Sequence, residues 1–156
     1  MLFRIDAWST IEDVRVMSTS SDQTKLRDAI DAAKKRGRKL SAEILAGEEM
    51  KTSEEFAAIL GVSVATMNSR RRRGKLLGLN GAVKGYRFPT WQLNKDGKPY
   101  VILDKLHDRL GGSWSVYRLL TQHHGELDGL TGLEALQKGQ DARVVDLAET
   151  VGRDFS

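Results

Sequence analysis

Residues 52–93, TSEEFAAILGVSVATMNSRRRRGKLLGLNGAVKGYRFPTWQL, decide how the rest of the chain is read. Thr52 and Glu55 have the spacing of a capping box, in which a Thr hydroxyl takes an orphan amide of the first helical turn and a Glu three residues on reaches back to the cap. A short helix therefore starts here. Phe56, Ile59 and Leu60, spaced i, i+3, i+4, form its buried stripe, and Ala57 is small enough to let a second helix approach. Gly61 ends it, because the left-handed exit from a helix is cheap only for glycine. Ser63 is placed to cap a second helix from Val64 to about Arg73, and two short helices joined by a Gly-containing turn are the pattern of a helix-turn-helix.

In that geometry the second helix lies in the major groove while its inner side packs on the first. Val62 and Met67 are expected to point inward. Ser63, Val64, Ala65, Asn68, Ser69 and Arg72 then face outward, where Asn pairs bidentately with adenine, Arg with guanine, and Val or Ala touches a thymine methyl. Arg70, Arg71, Arg72 and Arg73, with Lys75, supply charge for phosphates on either side. The same four arginines also complement a helix dipole, and a charge run by itself reads as a solvated face. Their position behind two capped helices is what points to nucleic acid. Arg70 stands three residues after Met67, where another apolar residue is common, so the second helix is expected to be short or turned outward at its end.

Lys75–Leu79 and Gly85–Phe88 are two short segments joined by Asn80-Gly81-Ala82-Val83-Lys84, and Asn-Gly is a strong reverse-turn signal. Pro89 stops the second segment, since proline cannot continue a paired strand. The expected product is a β-hairpin wing that brings Lys84 and Arg87 to the neighbouring backbone or minor groove. This region resembles the excisionase and MerR-like winged helix-turn-helix domains. The resemblance rests on Gly61-Val62-Ser63, Arg72-Arg73-Gly74-Lys75-Leu76 and Tyr86-Arg87-Phe88-Pro89, which recur in that order. It implies binding to double-stranded DNA.

The whole chain of 156 residues is 40% hydrophobic, carries a net charge of +4 and has a pI near 9.4, as suits one ordinary domain or two small helical ones with a mild basic bias. It contains no cysteine, which excludes disulfides and thiolate metal sites and is compatible with the cytosol. The opening residues lack the apolar run of a signal peptide, and no segment approaches the ~20 apolar residues of a membrane span. A cytoplasmic protein without membrane contact is expected.

Residues 1–21 show no clean period in Phe3, Ile5, Trp8, Ile11, Val14 and Val16, and Ser18-Thr19-Ser20-Ser21 reads as a linker; a weakly ordered arm, or one that orders by packing on a partner subunit, is expected. From Asp22 the pattern is helical, with Leu26, Ile30 and Ala33 on one stripe and Lys34, Lys35 and Arg36 in the last turn before Gly37. Ser41–Met50 reads as a second short helix. The run KKRGRK at 34–39 is either an extension of a DNA footprint or a solvated helix end.

Beyond the wing, Trp91 and Leu93 are expected to anchor the hairpin, and residues 94–99, NKDGKP, read as a turn-rich joint. Four helical segments follow: Tyr100–Leu110 with Leu103, Leu106 and Leu110 on one stripe; Trp114 to about His123, capped by Ser113; Thr131–Lys138, opened by a Thr131/Glu134 capping box; and a last helix capped by Asp141, with Val144, Val145, Ala148 and Val151 buried before a stop at Gly152. The predicted fold is mainly α: a helix-turn-helix with a short β-hairpin wing, followed by a small C-terminal helical bundle. Three parts are expected, with residues 1–50 as arm and helices, 51–93 as the DNA-binding region and 94–156 as the bundle.

The C-terminal half resembles the toxin-binding domain of the Xre/MbcA/ParS-type antitoxins. The residues that carry this are Trp114 leading into Leu119-Leu120, the loop Leu127-Asp128-Gly129-Leu130-Thr131, then Leu133-Glu134-Ala135-Leu136-Gln137-Lys138-Gly139 and Val144-Val145-Asp146-Leu147-Ala148. Gly132 and Ser113 stand where that family commonly has prolines. The resemblance implies a type II antitoxin that neutralises a cognate toxin, often a RES-fold enzyme that consumes NAD, and represses its own operon through the DNA-binding region. It marks Trp114 and Tyr117 as toxin-facing candidates. It also marks the tail Arg153, Asp154, Phe155 and Ser156, because the C-terminal end of related antitoxins reaches the toxin's active site. A frayed terminus is the plainer reading of that tail.

No enzyme is expected. His123 and His124 are adjacent and diverge by about 100° on a helix, the Asp104/His107 pair is a common surface contact, and Walker loop, nucleotide fingerprint and nucleophile motif are all missing, so no cofactor is implied. The alternative to an antitoxin is a stand-alone winged-helix regulator, or a phage or plasmid DNA-binding protein, with no toxin partner. Both bind operator DNA, and both are expected to be homodimers, because one small reader gains useful specificity by occupying two half-sites. The expected seam is either the Leu26, Ile30, Ala33 helix of residues 1–50 or the C-terminal helices, and the sequence does not choose between them.

Overall fold

The computed structural model describes residues 2–154, with side chains for residues 21–153. Its order is α1 (Leu2–Leu45), β1 (Met50–Lys51), α2 (Ser53–Leu60), α3 (Val64–Arg72), β2 (Phe88–Pro89), a 3-10 turn (Thr90–Gln92), α4 (Leu103–Leu110), α5 (Ser113–Thr121), a second 3-10 turn (Gly125–Leu127), α6 (Gly132–Gln137) and α7 (Asp141–Asp154). The fold is mainly α with a small antiparallel sheet, as expected. Two units are distinguished, Met1–Ser41 and Ala42–Ser156.

The first unit departs from expectation. Neither the linker at 18–21 nor the stop at Gly37 interrupts the helix, and Ser41–Met50 is not a separate helix. A Cβ at Gly37 would point into open space, and Gly37 is not among the glycines with positive φ. Without a left-handed residue a glycine only weakens a helix, by about 1 kcal/mol, and does not end it. The helix closes after Leu45, where Ala46 and Gly47 donate to Ala42 O and Ile44 O at 3.0 and 3.2 Å. Packing expected of Phe3, Ile5, Trp8, Ile11, Val14 and Val16 lies outside the described side chains.

In the second unit the capping signals hold. The Glu55 amide donates to Thr52 Oγ1 at 3.3 Å, and the Thr52 amide to Glu55 Oε1 at 3.1 Å. Gly61, at φ 70°, makes the left-handed exit from α2. Phe56 is fully buried and stacks on Phe88, with centroids 5.1 Å apart. Met67 is likewise fully buried, and Val62 packs against the same cluster, as predicted, but Ile59 is 49% exposed rather than part of the stripe.

The wing is shorter as a ladder than the sequence suggests. Leu79 and Arg87 exchange both backbone hydrogen bonds, at 2.8 and 2.7 Å, and close a loop over residues 80–86. Immediately beyond this bridge the chain changes partner: Lys51 pairs with Phe88 and Met50 with Pro89. The incoming segment is held otherwise, because the Lys75 amide returns to Arg70 O and Leu77 is bonded by a side chain.

Two clusters make up the core of this unit. Phe56, Ala57, Met67, Leu76 and Phe88 lie under the helix-turn-helix. Leu77 and Leu79 belong to the other, with Leu103, Leu106, Val116, Leu120, Leu127, Leu136, Val144 and Ala148. Successive side chains of an extended segment point to opposite sides, so residues 76–79 are a wall between the two. The boundary expected at residues 93/94 therefore falls inside one compact unit.

The bundle follows the predicted stripes with shifted edges. α4 starts at Leu103 instead of Tyr100, and α5 begins with Ser113 itself, behind Gly112, with no side-chain cap. The Ser113 hydroxyl instead lies 3.5 Å from His107 Nε2. α6 has its capping box, with the Glu134 amide on Thr131 Oγ1 at 3.1 Å. Gly132 packs so closely that a Cβ there would meet Leu119 O at 2.6 Å. α7 continues past the expected stop at Gly152, which lies against the carbonyl of Arg109.

Candidate nucleic-acid interface

α3 presents the predicted face with exceptions that follow from its packing. Ser63, Ala65, Thr66, Arg70, Arg72, Arg73 and Lys75 are exposed; Asn68 and Ser69 are half-buried. Ser63 is also the cap, its Oγ accepting the Thr66 amide at 3.1 Å. Val64, predicted outward, is half-buried against the Phe56 cluster. Arg71 runs inward: its guanidinium lies 3.8 Å from the Tyr86 ring centroid, and its Nε is buried without a hydrogen-bond partner. Gly78 makes room for it, since a Cβ there would stand 2.7 Å from Arg71 Cδ and 2.9 Å from Phe88 Cε1. A cation over an aromatic face is an attractive contact, and here it joins α3 to the far side of the wing loop.

The loop that forms the wing is fixed at three points. Arg87 is half-buried and donates from Nη1 to Lys84 O at 3.2 Å and Tyr86 O at 3.1 Å. The Trp114 indole N–H donates to Asn80 O at 2.8 Å. Val83 packs on the bundle core, leaving Gly81, Ala82, Lys84 and Gly85 exposed at the tip.

Beneath the reader sits a residue that sequence reasoning passed over. Gln92 is fully buried; its Oε1 accepts the Leu77 amide at 2.8 Å, and its Nε2 donates to Leu77 O at 2.9 Å and Pro89 O at 3.0 Å. A polar residue between Trp91 and Leu93 was the signal available.

Charge completes the picture. From Phe56 to Lys95 there are eight cations and no Asp or Glu, so the remainder of the chain is net acidic although the whole carries +4. Cations therefore concentrate on α3 and the wing, while Asp104 and Asp108 of α4 border the clefts lined by Arg70–Arg73 and Lys75; an excess of one sign steers a polyanion.

Of the toxin-facing candidates, Trp114 and Tyr117 are half-buried and meet edge-on with centroids 5.5 Å apart, while Trp91 lies 6.0 Å from Tyr117. Burial, and then the charge of Glu49, raises the Tyr117 hydroxyl above its ordinary pKa. Arg153 is exposed at the end of α7. The Asp154 side chain, Phe155 and Ser156 lie outside the described residues. The histidines hold backbone: His107 Nδ1, His123 Nδ1 and His124 Nε2 each lie 2.8 Å from a carbonyl, those of Leu103, Gly129 and Leu119. Among the described residues no helix is long and apolar enough to cross a membrane.

No protein-family model and no curated protein matches the chain. Among solved structures, the NMR structure of Rv2175c is similar, with a TM-score of 0.60 and 22% sequence identity over 69% of this chain and 83% of that one. At that identity the likeness speaks for the fold alone.

Proposed function

We propose that this chain is a DNA-binding regulator that reads duplex DNA with α3 and sets the wing tip against the adjoining backbone, acting as a homodimer. The observation that supports it most directly is the coincidence of charge with geometry: beyond the Glu54–Glu55 cap of α2, the acid-free stretch 56–95 forms the rest of α2, the Ser63-capped α3 and the wing. Arg72 and Asn68 are the base-reading candidates, and Arg70, Arg73, Lys75 and Lys84 the phosphate contacts. Selection from a random duplex library, followed by footprinting, tests it. Enrichment of one sequence with a steep salt dependence is the expected result, and binding that ignores sequence throughout the library sinks the reading.

The helical half is read as the seat of a partner protein, in the manner of a type II antitoxin with a cognate, RES-type toxin. The reason is the resemblance carried by Trp114, Leu119, Leu120 and the 127–139 segment. Gly132, where that family commonly has proline, is required here by the approach of α6 to Leu119 O. Co-expression with each flanking reading frame, one partner tagged, decides between the readings. Recovery of a complex with a neighbour that is toxic alone supports the antitoxin, and a bare homodimer supports the stand-alone regulator.

A further inference from the structure

The described side chains of α1 from residue 21 to residue 40 are exposed without exception. Helices in proteins owe most of their stability to burying an apolar face, so a helix of 44 residues with a bare central stretch calls for a cover. Of the five large hydrophobic residues exposed among the described residues, three lie here: Leu26 at 60%, Ile30 at 44% and Leu40 at 58%. With Ala33 and Gly37 they occupy positions 26, 30, 33, 37 and 40. Steps of four and three in alternation are the seam of a coiled coil.

We propose that a second copy of this chain covers this seam, in parallel and in register. Charge selects the copy and its direction. With Ile30 and Gly37 at a, and Leu26, Ala33 and Leu40 at d, the flanking e positions are Arg27, Lys34 and Ser41, and the g positions are Asp22, Ala29 and Arg36. Antiparallel pairing sets e against e, which places Arg27 or Lys34 of one chain against a cation of the other. Parallel pairing sets each g against the e five residues on. It brings Asp22 to Arg27, Ala29 to Lys34 and Arg36 to Ser41, one attractive pair and no like-charge pair. Ala33 and Gly37 leave the backbones closest in the middle of the seam, between the bulkier layers of Ile30 and Leu40. This assigns an interface to the homodimer proposed above, and it holds or fails without reference to DNA.

The test uses the full chain, whose lack of cysteine makes a single introduced thiol informative. In sedimentation without DNA, the wild type is expected at twice 17.4 kDa and the double variant Leu26→Asp/Ile30→Asp at 17.4 kDa, with the unfolding midpoint of the second unit unchanged. Gln23→Cys, at an a position, is expected to oxidise to a disulfide dimer, and to stop doing so when combined with the two Asp substitutions. Gly37→Leu fills the seam and is expected to tighten the dimer at least tenfold, whereas an unpaired solvated helix gains only helicity from it. A monomer at all concentrations overturns the proposal, as does a dimer indifferent to Leu26→Asp/Ile30→Asp. Cross-linking of Gln23→Cys only with Leu40→Cys, as antiparallel pairing requires, overturns the direction assigned here. A parallel dimer that ignores DNA refutes the DNA reading alone, and a DNA-binding monomer refutes this one alone.

Discussion

The carboxamide of Gln92 satisfies both the N–H and the C=O of Leu77, as a neighbouring strand would. Removing it leaves two buried backbone groups without partners, and each costs about 1–3 kcal/mol when nothing replaces it. Gln92→Leu, nearly isosteric and more apolar, is therefore expected to lower stability by roughly 2–4 kcal/mol in urea unfolding. A change below about 0.5 kcal/mol would mean that water takes over both bonds.

Arg72→Ala and Asn68→Ala are each expected to weaken binding to a selected duplex by about tenfold to a hundredfold, the range of one good base contact. Circular dichroism should be unaltered, since Arg72 is exposed and Asn68 half-buried. Loss of the folded signal would move the residue into the core and undo the groove-facing register.

Arg71 and Tyr86 should behave as a pair. A double-mutant cycle with Arg71→Ala and Tyr86→Leu is expected to give a coupling of about 0.5–2 kcal/mol in stability. Arg71→Ala should also loosen the wing, seen as faster amide exchange at Leu79 and Arg87. Additive effects would show that the guanidinium and the ring only happen to lie near one another.

The two capping boxes predict a pH dependence with a definite sign. Hydrogen bonds from the backbone and hydroxyl of Thr52 lower the Glu55 pKa, and those of Thr131 lower that of Glu134. A carboxylate whose folded pKa is depressed contributes stability that is fully present above its unfolded value and is lost as pH falls through the folded one. Glu55→Gln and Glu134→Gln, which remove the titrating group and keep the Thr cap, should each lower stability at neutral pH and progressively less as pH falls through the folded pKa. A cost that stays constant across the acid range would show that the carboxylates take no part.

Gly132→Ala is expected to cost about 1–3 kcal/mol, the usual effect of forcing atoms into a filled space, because the new Cβ meets a backbone carbonyl that has no rotamer to change. Gly139→Asn is the control: that glycine has φ 75°, which Asn tolerates, and open space around it. Equal losses in both would point to backbone freedom rather than contact.

What was legible in the sequence was local. The Thr52 and Thr131 boxes, the Gly61 exit and the Met67 burial are written within four residues of themselves, and all four stand in the structure. What was not legible depends on residues far apart in the chain. Nothing near Phe88 announces that it pairs with Lys51, nothing near Arg71 that Gly78 clears space for its stem, and nothing near Gln92 that Leu77 lacks a strand partner. Glycine misled at Gly37 and Gly152, since it marks a helix end only where φ is positive, and a pattern does not show φ.

The wall formed by residues 76–79 has an engineering consequence. Leu76 faces one core and Leu77 the other, so a cut at residue 93 would strand Leu77 and Leu79 on the fragment that lacks their companions. The reader is therefore a poor module for transplantation: grafted onto another body it would carry an oily flank into water and lose the tether from Trp114. A chimera that keeps residues 42–154 together preserves both sides of the wall, and specificity is better altered by exchanging surface residues of α3 than by exchanging the segment.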